Sequence, residues 1–153
     1  MSQLNSRLNH PFLHVSVFYS PADSTVGGAR KSARILVVED DFIVALDMEY
    51  HLIAAGFEVV GVATTAEEAL QMADAGDPHL AIMDIRLAGD RDGVDAATEL
   101  RHRLGVPSIF ASAHGDMQTR QRAARAKPLG WLQKPYSAEA LVALVSAALA
   151  GGG

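Results

Sequence analysis

The chain has 153 residues, the length of one domain, and at this size folding buries roughly 70% of the surface that the unfolded chain exposes. Hydrophobic residues make up 49% and charged residues 20%, which is typical of a soluble globular protein, and no apolar run is long enough to span a bilayer. The net charge of -5 disfavours a dedicated nucleic-acid binder, since phosphate neutralisation needs a basic field, and the absence of cysteine excludes disulfides and thiolate chemistry and fits a cytoplasmic protein.

Residues 1–33 differ in composition from the rest of the chain. An apolar stretch, "HPFLHVSVFYS", is followed by the small and polar "SPADSTVGGARKS", which predicts a flexible extension and linker before a domain at 34–150 and a short tail at 151–153. A secretory signal is the alternative, but its apolar part is short, is interrupted by His14 and is followed by no clear cleavage site. His10 and His14 could bind a metal, although no third ligand is evident.

From Arg34 onward, short apolar runs of strand length alternate with longer segments of helical period, a pattern that predicts βαβ units. The runs are continuous rather than alternating, which favours parallel strands covered on both faces. Five strands are predicted: "RILVVE", "EVVGVA", "LAIMD", "PSIFAS" and "GWLQK". Five helices are predicted: "FIVALDMEYHLIAAG", "TAEEALQMADAG", "VDAATELRHRL", "DMQTRQRAARA" and "SAEALVALVSAALA".

Capping residues support three of these helices. Gly56 is the expected C-cap of the first, and Thr65 with Glu68 forms the capping-box pattern at the start of the second. Ser137 is a plausible N-cap of the last helix. Right-handed crossovers then predict a doubly wound, five-stranded parallel sheet of the flavodoxin-like kind, with strand order 2-1-3-4-5.

In such a sheet, ligands bind outside the carboxyl ends of the strands, where strand order reverses between strands 1 and 3. Carboxylates from neighbouring strands would lie close together there, and two like charges 4 Å apart repel by roughly 4 kcal/mol at an effective dielectric constant near 20. A cation relieves this repulsion. The polar residues predicted at the strand ends are Glu39, Asp40, Asp41, Asp84, Ser112 and Lys134.

Their donors are hard oxygens without His or Cys, which favours Mg²⁺ held by carboxylates, a backbone carbonyl and water. Mg²⁺ in turn indicates phosphate chemistry. Lys134 could neutralise phosphoryl oxygens and the Ser112 hydroxyl could donate a hydrogen bond to one. A carboxylate can attack phosphorus to give an acyl phosphate, and Asp84, at the central strand tip, is the candidate acceptor.

Over residues 34–150 the chain resembles the receiver domain of two-component response regulators. The resemblance rests on "ILVVEDD", "LAIMDIRL", "IFASAHG" and "LQKPY", all in order and at suitable spacing. It implies that Asp84 takes a phosphoryl group from a histidine kinase. It also implies that Asp40, Asp84 and the backbone carbonyl of Arg86 bind Mg²⁺, with Glu39 acting through water. The peptide bond before Pro135 is expected to be cis.

Some positions depart from the usual family pattern or fall outside its ligand set. Trp131 stands where Tyr or Phe is commoner, and we weigh equally a rotamer that reports phosphorylation and a fixed aromatic on a docking surface. Asp90 and Asp92 are interpreted as solvated turn residues. Asp41 is expected to cap the first helix rather than to bind metal.

The chain ends in "LAGGG" after the last helix, so the resemblance implies a stand-alone receiver without enzymatic turnover of its own. Its expected partners are a histidine kinase or phosphotransfer protein and an unknown downstream protein, with a homodimer possible and neither DNA nor membrane binding expected. Two alternatives stay open: a phosphorylation-independent scaffold or dimerisation module, and a small Mg²⁺-dependent phosphohydrolase. The fourth helix carries a basic cluster that is either a solvated face or a site for an acidic partner: Arg120, Arg122, Arg125 and Lys127.

Overall fold

A computed structural model describes residues 32–113 and 115–151 of the chain. The predictions for the N-terminal extension, including those for His10 and His14, fall on residues 1–31 and so lie outside the described residues. The strands are β1 (Arg34–Val38), β2 (Glu58–Ala63), β3 (Leu80–Asp84), β4 (Ser108–Ser112) and β5 (Gly130–Gln133). The helices are α1 (Phe42–Ala54), α2 (Ala66–Gly76), α3 (Gly93–Leu104), α4 (Met117–Ala123) and α5 (Ala138–Gly151).

The five strands form one parallel sheet in the order β2-β1-β3-β4-β5, which confirms the predicted doubly wound topology. In the register of the sheet, Val38 of β1 lies opposite Met83 of β3, and Asp84 lies opposite Ala111 of β4. The residues that follow β1 therefore lie beside the last residue of β3. This is the reversal of strand order at which the sequence predicted a ligand site.

A hydrophobic core covers each face of the sheet, as the continuous apolar runs predicted. On one face, Leu36, Met83 and Phe110 pack beneath α2, α3 and α4. On the other, Ile35 and Ile82 pack beneath α1 and α5. Residues 35–38 of β1 and all of β3 are buried, so the two central strands are rigidly held and fix the positions of the side chains at their ends. None of the helices in the described ranges is long and apolar enough to cross a bilayer.

The predicted caps are largely correct, with differences of one residue. The Asp41 carboxylate accepts hydrogen bonds from the backbone N–H groups of Ile43 and Val44, and is the N-cap of α1. The C-cap of that helix is Ala55, and Gly56 follows it with a φ of +92°, a backbone conformation that glycine adopts without strain.

The helix α2 begins as predicted on Thr65, whose hydroxyl accepts a hydrogen bond from the N–H of Glu68. The return bond is displaced by one residue, because the Glu68 carboxylate accepts from the N–H and hydroxyl of Thr64. Ser137 caps α5, as its side chain accepts from the N–H of Ala140.

The fourth helix is shorter than predicted. α4 ends at Ala123, and residues 124–126 form a 3₁₀ turn that ends on Lys127 in the left-handed region, at φ +48°. Ala123 and Ala126 are both buried against the sheet. The tighter turn keeps both side chains on the face that packs inward, since side chains three positions apart in a 3₁₀ helix lie one above the other.

Candidate functional site

Three carboxylates converge at the carboxyl ends of β1 and β3. Oxygen atoms of Glu39, Asp40 and Asp84 all lie within 4.8 Å of one another. Glu39 is almost completely buried, Asp84 is 8% exposed and Asp40 is exposed. The cluster therefore has two buried acids, Glu39 and Asp84, and one acid open to solvent, Asp40. All three supply hard oxygen donors, which fit Mg²⁺.

Lys134 provides the positive charge of the site. Its Nζ lies 2.5 Å from Oε2 of Glu39 and 3.5 Å from Oδ1 of Asp84. The other carboxylate oxygen of Glu39 accepts a hydrogen bond from the N–H of Asp41. Each carboxylate oxygen of Glu39 thus has a hydrogen-bond partner, as a buried carboxylate requires.

The environment of Asp84 disfavours the charged form of its carboxyl group. Burial, followed by the negative charge of Glu39, raises the pKa of Asp84 to about 6, while the ammonium of Lys134 partly opposes the increase. At Lys134 burial disfavours the charged form, but hydrogen bonding to Glu39 and the charges of both acids hold its pKa above the ordinary value. The ammonium therefore stays charged, whereas Asp84 can exchange a proton near neutral pH.

Three carboxylates and one ammonium leave a formal charge of -2 on the cluster. A divalent cation neutralises this charge, and it also removes the repulsion that raises the pKa of Asp84. The residues present therefore fit a magnesium ion by the chemistry of their donors and by their net charge.

Gly93, which the sequence analysis missed, allows α3 to begin directly against the end of β3. A Cβ at this position would lie 1.8 Å from the backbone oxygen of Asp84, and the N–H of Gly93 donates to the Ile85 carbonyl at 2.7 Å. Only a residue without a side chain permits this approach. The one sequence signal was a glycine at the start of a predicted helix, where glycine is a poor helix former.

The interpretation of Asp92 as a solvated turn residue is wrong. Its carboxylate accepts from the N–H of Asp95 and forms the N-terminal capping box of α3. It also lies 2.6 Å from a guanidinium nitrogen of Arg122 on α4. Burial opposes ionisation of Asp92, but these hydrogen bonds and the Arg122 charge keep its pKa below the ordinary value. Asp90, by contrast, is exposed.

Tyr136 is a second residue that the sequence analysis missed. Its hydroxyl is buried and has no hydrogen-bond partner among the residues that the structure describes. Burial, then the charges of Glu39, Asp47 and Asp84, raise the pKa of Tyr136 to about 12. A protonated phenol therefore lies in the electric field of the acidic cluster, where its O–H is available to donate.

The remaining predicted site residues lie on or near the last three strands of the sheet, β3, β4 and β5. Ser112 ends β4 and is half-buried, and its carbonyl accepts from the N–H of Lys134 at 2.9 Å. The peptide bond between Lys134 and Pro135 is cis. Trp131 is half-buried and stacks on Phe110, with ring centroids 4.8 Å apart. Arg86, directly beyond β3, is exposed.

The sequence model of one protein family, the response regulator receiver domain, matches residues 35–146, well over half of the chain. The Transcriptional regulatory protein PdtaR of Mycobacterium tuberculosis is 31% identical over 126 residues, a match that covers 82% of this chain and 61% of that protein. The Phyllosphere-induced regulator PhyR of Methylorubrum extorquens is 33% identical over 122 residues, with 79% and 45% covered. This chain thus spans between about half and three fifths of these relatives.

Solved structures give the same result. The signal receiver domain of a modulated diguanylate cyclase from Desulfovibrio desulfuricans matches with a TM-score of 0.74 and 35% identity, covering 78% of this chain and 95% of that domain. The response regulator PhyR from Brucella abortus matches with a TM-score of 0.68 and 33% identity, covering 78% of this chain and 49% of that one. The sheet order, the family model and these relatives agree: the chain belongs to the response regulator receiver domain family.

Proposed function

We propose that this receiver domain works as the phosphorylation-controlled part of a response regulator. It accepts a phosphoryl group on Asp84 from a histidine kinase or a phosphotransfer protein, and it signals by binding a downstream protein in a phosphorylation-dependent way. The observation that carries the proposal is the position of Asp84: a buried carboxylate at the end of β3, within 4.8 Å of two further acids and 3.5 Å from an ammonium. That arrangement supports the proposal, because a carboxylate in this position has beside it the charges that a phosphoryl group needs.

Asp40, Asp84 and the backbone carbonyl of Arg86 are the proposed Mg²⁺ ligands, with Glu39 acting through a water molecule. The support is the donor set and its formal charge of -2. Bound there, Mg²⁺ neutralises the acids and the phosphoryl oxygens that approach them. Asp41 lies outside this set because its carboxylate is occupied in capping α1.

In the transfer step, a carboxylate oxygen of Asp84 attacks the phosphorus of a phosphohistidine. The new O–P bond forms as the N–P bond breaks, and the electron pair of the broken bond leaves with the imidazole nitrogen. Lys134 keeps Asp84 ionised for attack and then pairs with a phosphoryl oxygen, while the Ser112 hydroxyl donates a hydrogen bond to another. Electrostatic positioning of this kind is most of what catalysis of phosphoryl transfer requires.

The surface on which the phosphoryl donor docks is proposed to be α1. Five large apolar residues of α1 are 52–71% exposed, and α1 starts directly after the acidic residues of the site. Ile43, Leu46, Tyr50 and Ile53 follow the i, i+3, i+7, i+10 spacing of a helix that packs against another helix. We define them, with Phe42, as the α1 stripe. A contiguous apolar surface of this kind marks an interaction site.

The phosphorylation-independent scaffold remains the alternative function, and in it the α1 stripe would bind a second copy of the chain. An intact set of acids and lysine argues for phosphorylation, because a scaffold has no use for a buried carboxylate with a raised pKa. We also propose that the protein works in the cytoplasm.

The test is the intact mass of wild type and of Asp84→Ala after incubation with acetyl phosphate, with Mg²⁺ or with chelator. A single phosphoryl adduct that appears only in wild type with Mg²⁺ is expected. Asp40→Asn serves as a matched variant, since it removes one proposed ligand but leaves the nucleophile, and it should require a higher Mg²⁺ concentration. An adduct on Asp84→Ala would show that the acceptor is another residue.

A further inference from the structure

A groove lies between α3 and α4, and it is separate from the acidic cluster and from the α1 stripe. Its volume is about 740 Å³, within the range of about 300–1,000 Å³ that is usual for ligand sites. Its walls consist mainly of exposed polar side chains, so it suits a segment of another chain better than a buried small molecule. The α3–α4 groove, as we call it, has six exposed residues in its walls: Asp95, His102, Arg103, Gln121, Arg122 and Arg125.

The end of the groove near the start of α3 is closed by ion pairs. Arg122 of α4 lies 2.6 Å from a carboxylate oxygen of Asp92 and 3.9 Å from one of Asp95. Two acids thus compensate the charge of this guanidinium. A negatively charged ligand has no uncompensated cation to bind at this end.

The centre of the groove contains Glu99, which accepts a hydrogen bond at each carboxylate oxygen, one from Arg91 and one from Arg103. These bonds hold the pKa of Glu99 below its ordinary value, so the carboxylate stays ionised near neutral pH. Arg91 also lies 3.8 Å from Glu67 of α2, whereas the Arg103 side chain is 67% exposed. The guanidinium of Arg103 therefore keeps part of its positive charge available at the surface.

The other end of the groove is open and positively charged. Arg125 is exposed there and forms no ion pair with any residue that the structure describes. With Arg103, it gives this end two guanidinium groups for the single carboxylate of Glu99, on a chain whose net charge is -5. Guanidinium groups bind carboxylates through two parallel hydrogen bonds, which makes carboxylates the natural ligands of this end.

We propose that the α3–α4 groove binds an acidic segment of a partner protein, with carboxylates of that segment on Arg103 and Arg125. Clusters of arginine recognise acidic motifs in this way. Asp95 and Glu99 would repel a dense row of phosphates, and the net charge disfavours nucleic acid. A peptide can instead place neutral residues beside these two acids. This interaction goes beyond the proposed function and does not require phosphorylation of Asp84.

The experiment uses a fluorescein-labelled, alanine-based helical peptide in which glutamates recur at i, i+4 spacing, and it measures binding to the full chain by fluorescence anisotropy. We expect Arg103→Gln and Arg125→Gln each to weaken binding by about three- to fivefold, the effect of one exposed guanidinium–carboxylate pair. Arg101→Gln is the matched control and should bind like wild type. It removes the same charge from α3 at a position that does not line the groove.

Equal weakening by all three substitutions would overturn the proposal, because the peptide would then respond only to the general charge of the surface. Absence of peptide binding by wild type would overturn it too. Tripolyphosphate is the competing probe, and if it binds more tightly than the peptide and is weakened by the same two substitutions, the groove is a phosphate site rather than a peptide site. None of these results changes the phosphorylation of Asp84, which intact mass measures separately.

Discussion

Lys134 and Glu39 form a buried ion pair that joins the end of β5 to the end of β1. The ammonium lies 2.5 Å from the carboxylate, and the side chains are 21% and 2% exposed. Neither charge is well solvated, so each depends on the other. Lys134 is also the only cation, among the residues that the structure describes, that forms an ion pair with Asp84.

Replacing Lys134 by Gln should lower the free energy of unfolding by roughly 2–4 kcal/mol in chelator, because the Glu39 carboxylate is left buried without its partner. Mg²⁺ should recover part of the loss. Urea denaturation at pH 7 measures both effects. The double variant Glu39→Gln, Lys134→Gln is the control and should be more stable than the single one. A loss below about 0.5 kcal/mol would mean that the pair contributes no more than a surface salt bridge.

Asp84→Asn should be more stable than wild type at pH 7 in the absence of divalent cations. Because the pKa of Asp84 is raised from 3.8 to about 6 in the folded protein, the contribution of this carboxyl to the free energy of unfolding falls as the pH rises through that interval. The amide of the variant does not titrate. Its free energy of unfolding should therefore exceed that of wild type by roughly 1–3 kcal/mol at pH 7 and equal it below about pH 4.

Thermal denaturation from pH 3.5 to 8 follows this difference. Asp74→Asn, an exposed position on α2 outside the acidic cluster, is the matched control. Mg²⁺ should raise the melting temperature of wild type more than that of Asp84→Asn. A gain that is independent of pH would contradict the assignment of the effect to the Asp84 carboxylate.

Gly93→Ala should damage both the fold and the site. The new Cβ would have to displace the Asp84 carbonyl, since the two atoms would otherwise be 1.8 Å apart, and backbone atoms on both sides are fixed. We expect the free energy of unfolding to fall by about 1–3 kcal/mol, as for overpacking in a core. Gly151→Ala is the control, because a Cβ there meets nothing. Chemical denaturation measures the free energy of unfolding of both variants. Equal values would show that α3 can shift to accommodate the new Cβ without loss of stability.

Ile43→Ser should separate phosphorylation by a protein donor from phosphorylation by a small molecule. Ile43 is 71% exposed on the α1 stripe, so its loss leaves the core and the acidic site intact. Transfer from a phosphorylated histidine kinase that labels wild type should slow by about tenfold, as for an apolar contact at the centre of an interface. Labelling by acetyl phosphate should not change, and a parallel decrease in both reactions would place the defect in the site rather than on the docking surface.

The sheet could be predicted because its strands are buried on both faces and so appear as continuous apolar runs, such as "ILVV" and "LAIM". The convergence of Glu39, Asp40 and Asp84 followed from the same fact: parallel strands in a known order bring their ends together. Local rules also located the caps at Asp41 and Ser137, since a cap involves only neighbouring residues.

The features that sequence reasoning missed depend mainly on contacts between separate elements, although the capping box of Asp92 and Asp95 is local. Asp92 looked like a turn residue because its ion-pair partner, Arg122, lies 30 positions away. The role of Gly93 depends on the backbone at the end of β3, and Arg120, whose guanidinium lies over the ring of Trp131, belongs to α4 rather than to β5. The short α4 ended early for a similar reason, since inward packing of Ala123 and Ala126 overrides the helical pattern.

The loop of residues 85–92 is closed on itself by the bond between the Gly93 N–H and the Ile85 carbonyl. It is fastened a second time where the N–H of Ala88 donates to the Thr64 carbonyl, beside a short bridge between Ala88 and Thr65. Ordering a backbone residue costs roughly 1–2 kcal/mol of conformational entropy, and here folding has already met that cost. If a cation or a phosphoryl group binds at Asp84, as we propose, it meets a loop that is already ordered, and its binding free energy is not spent on ordering the chain.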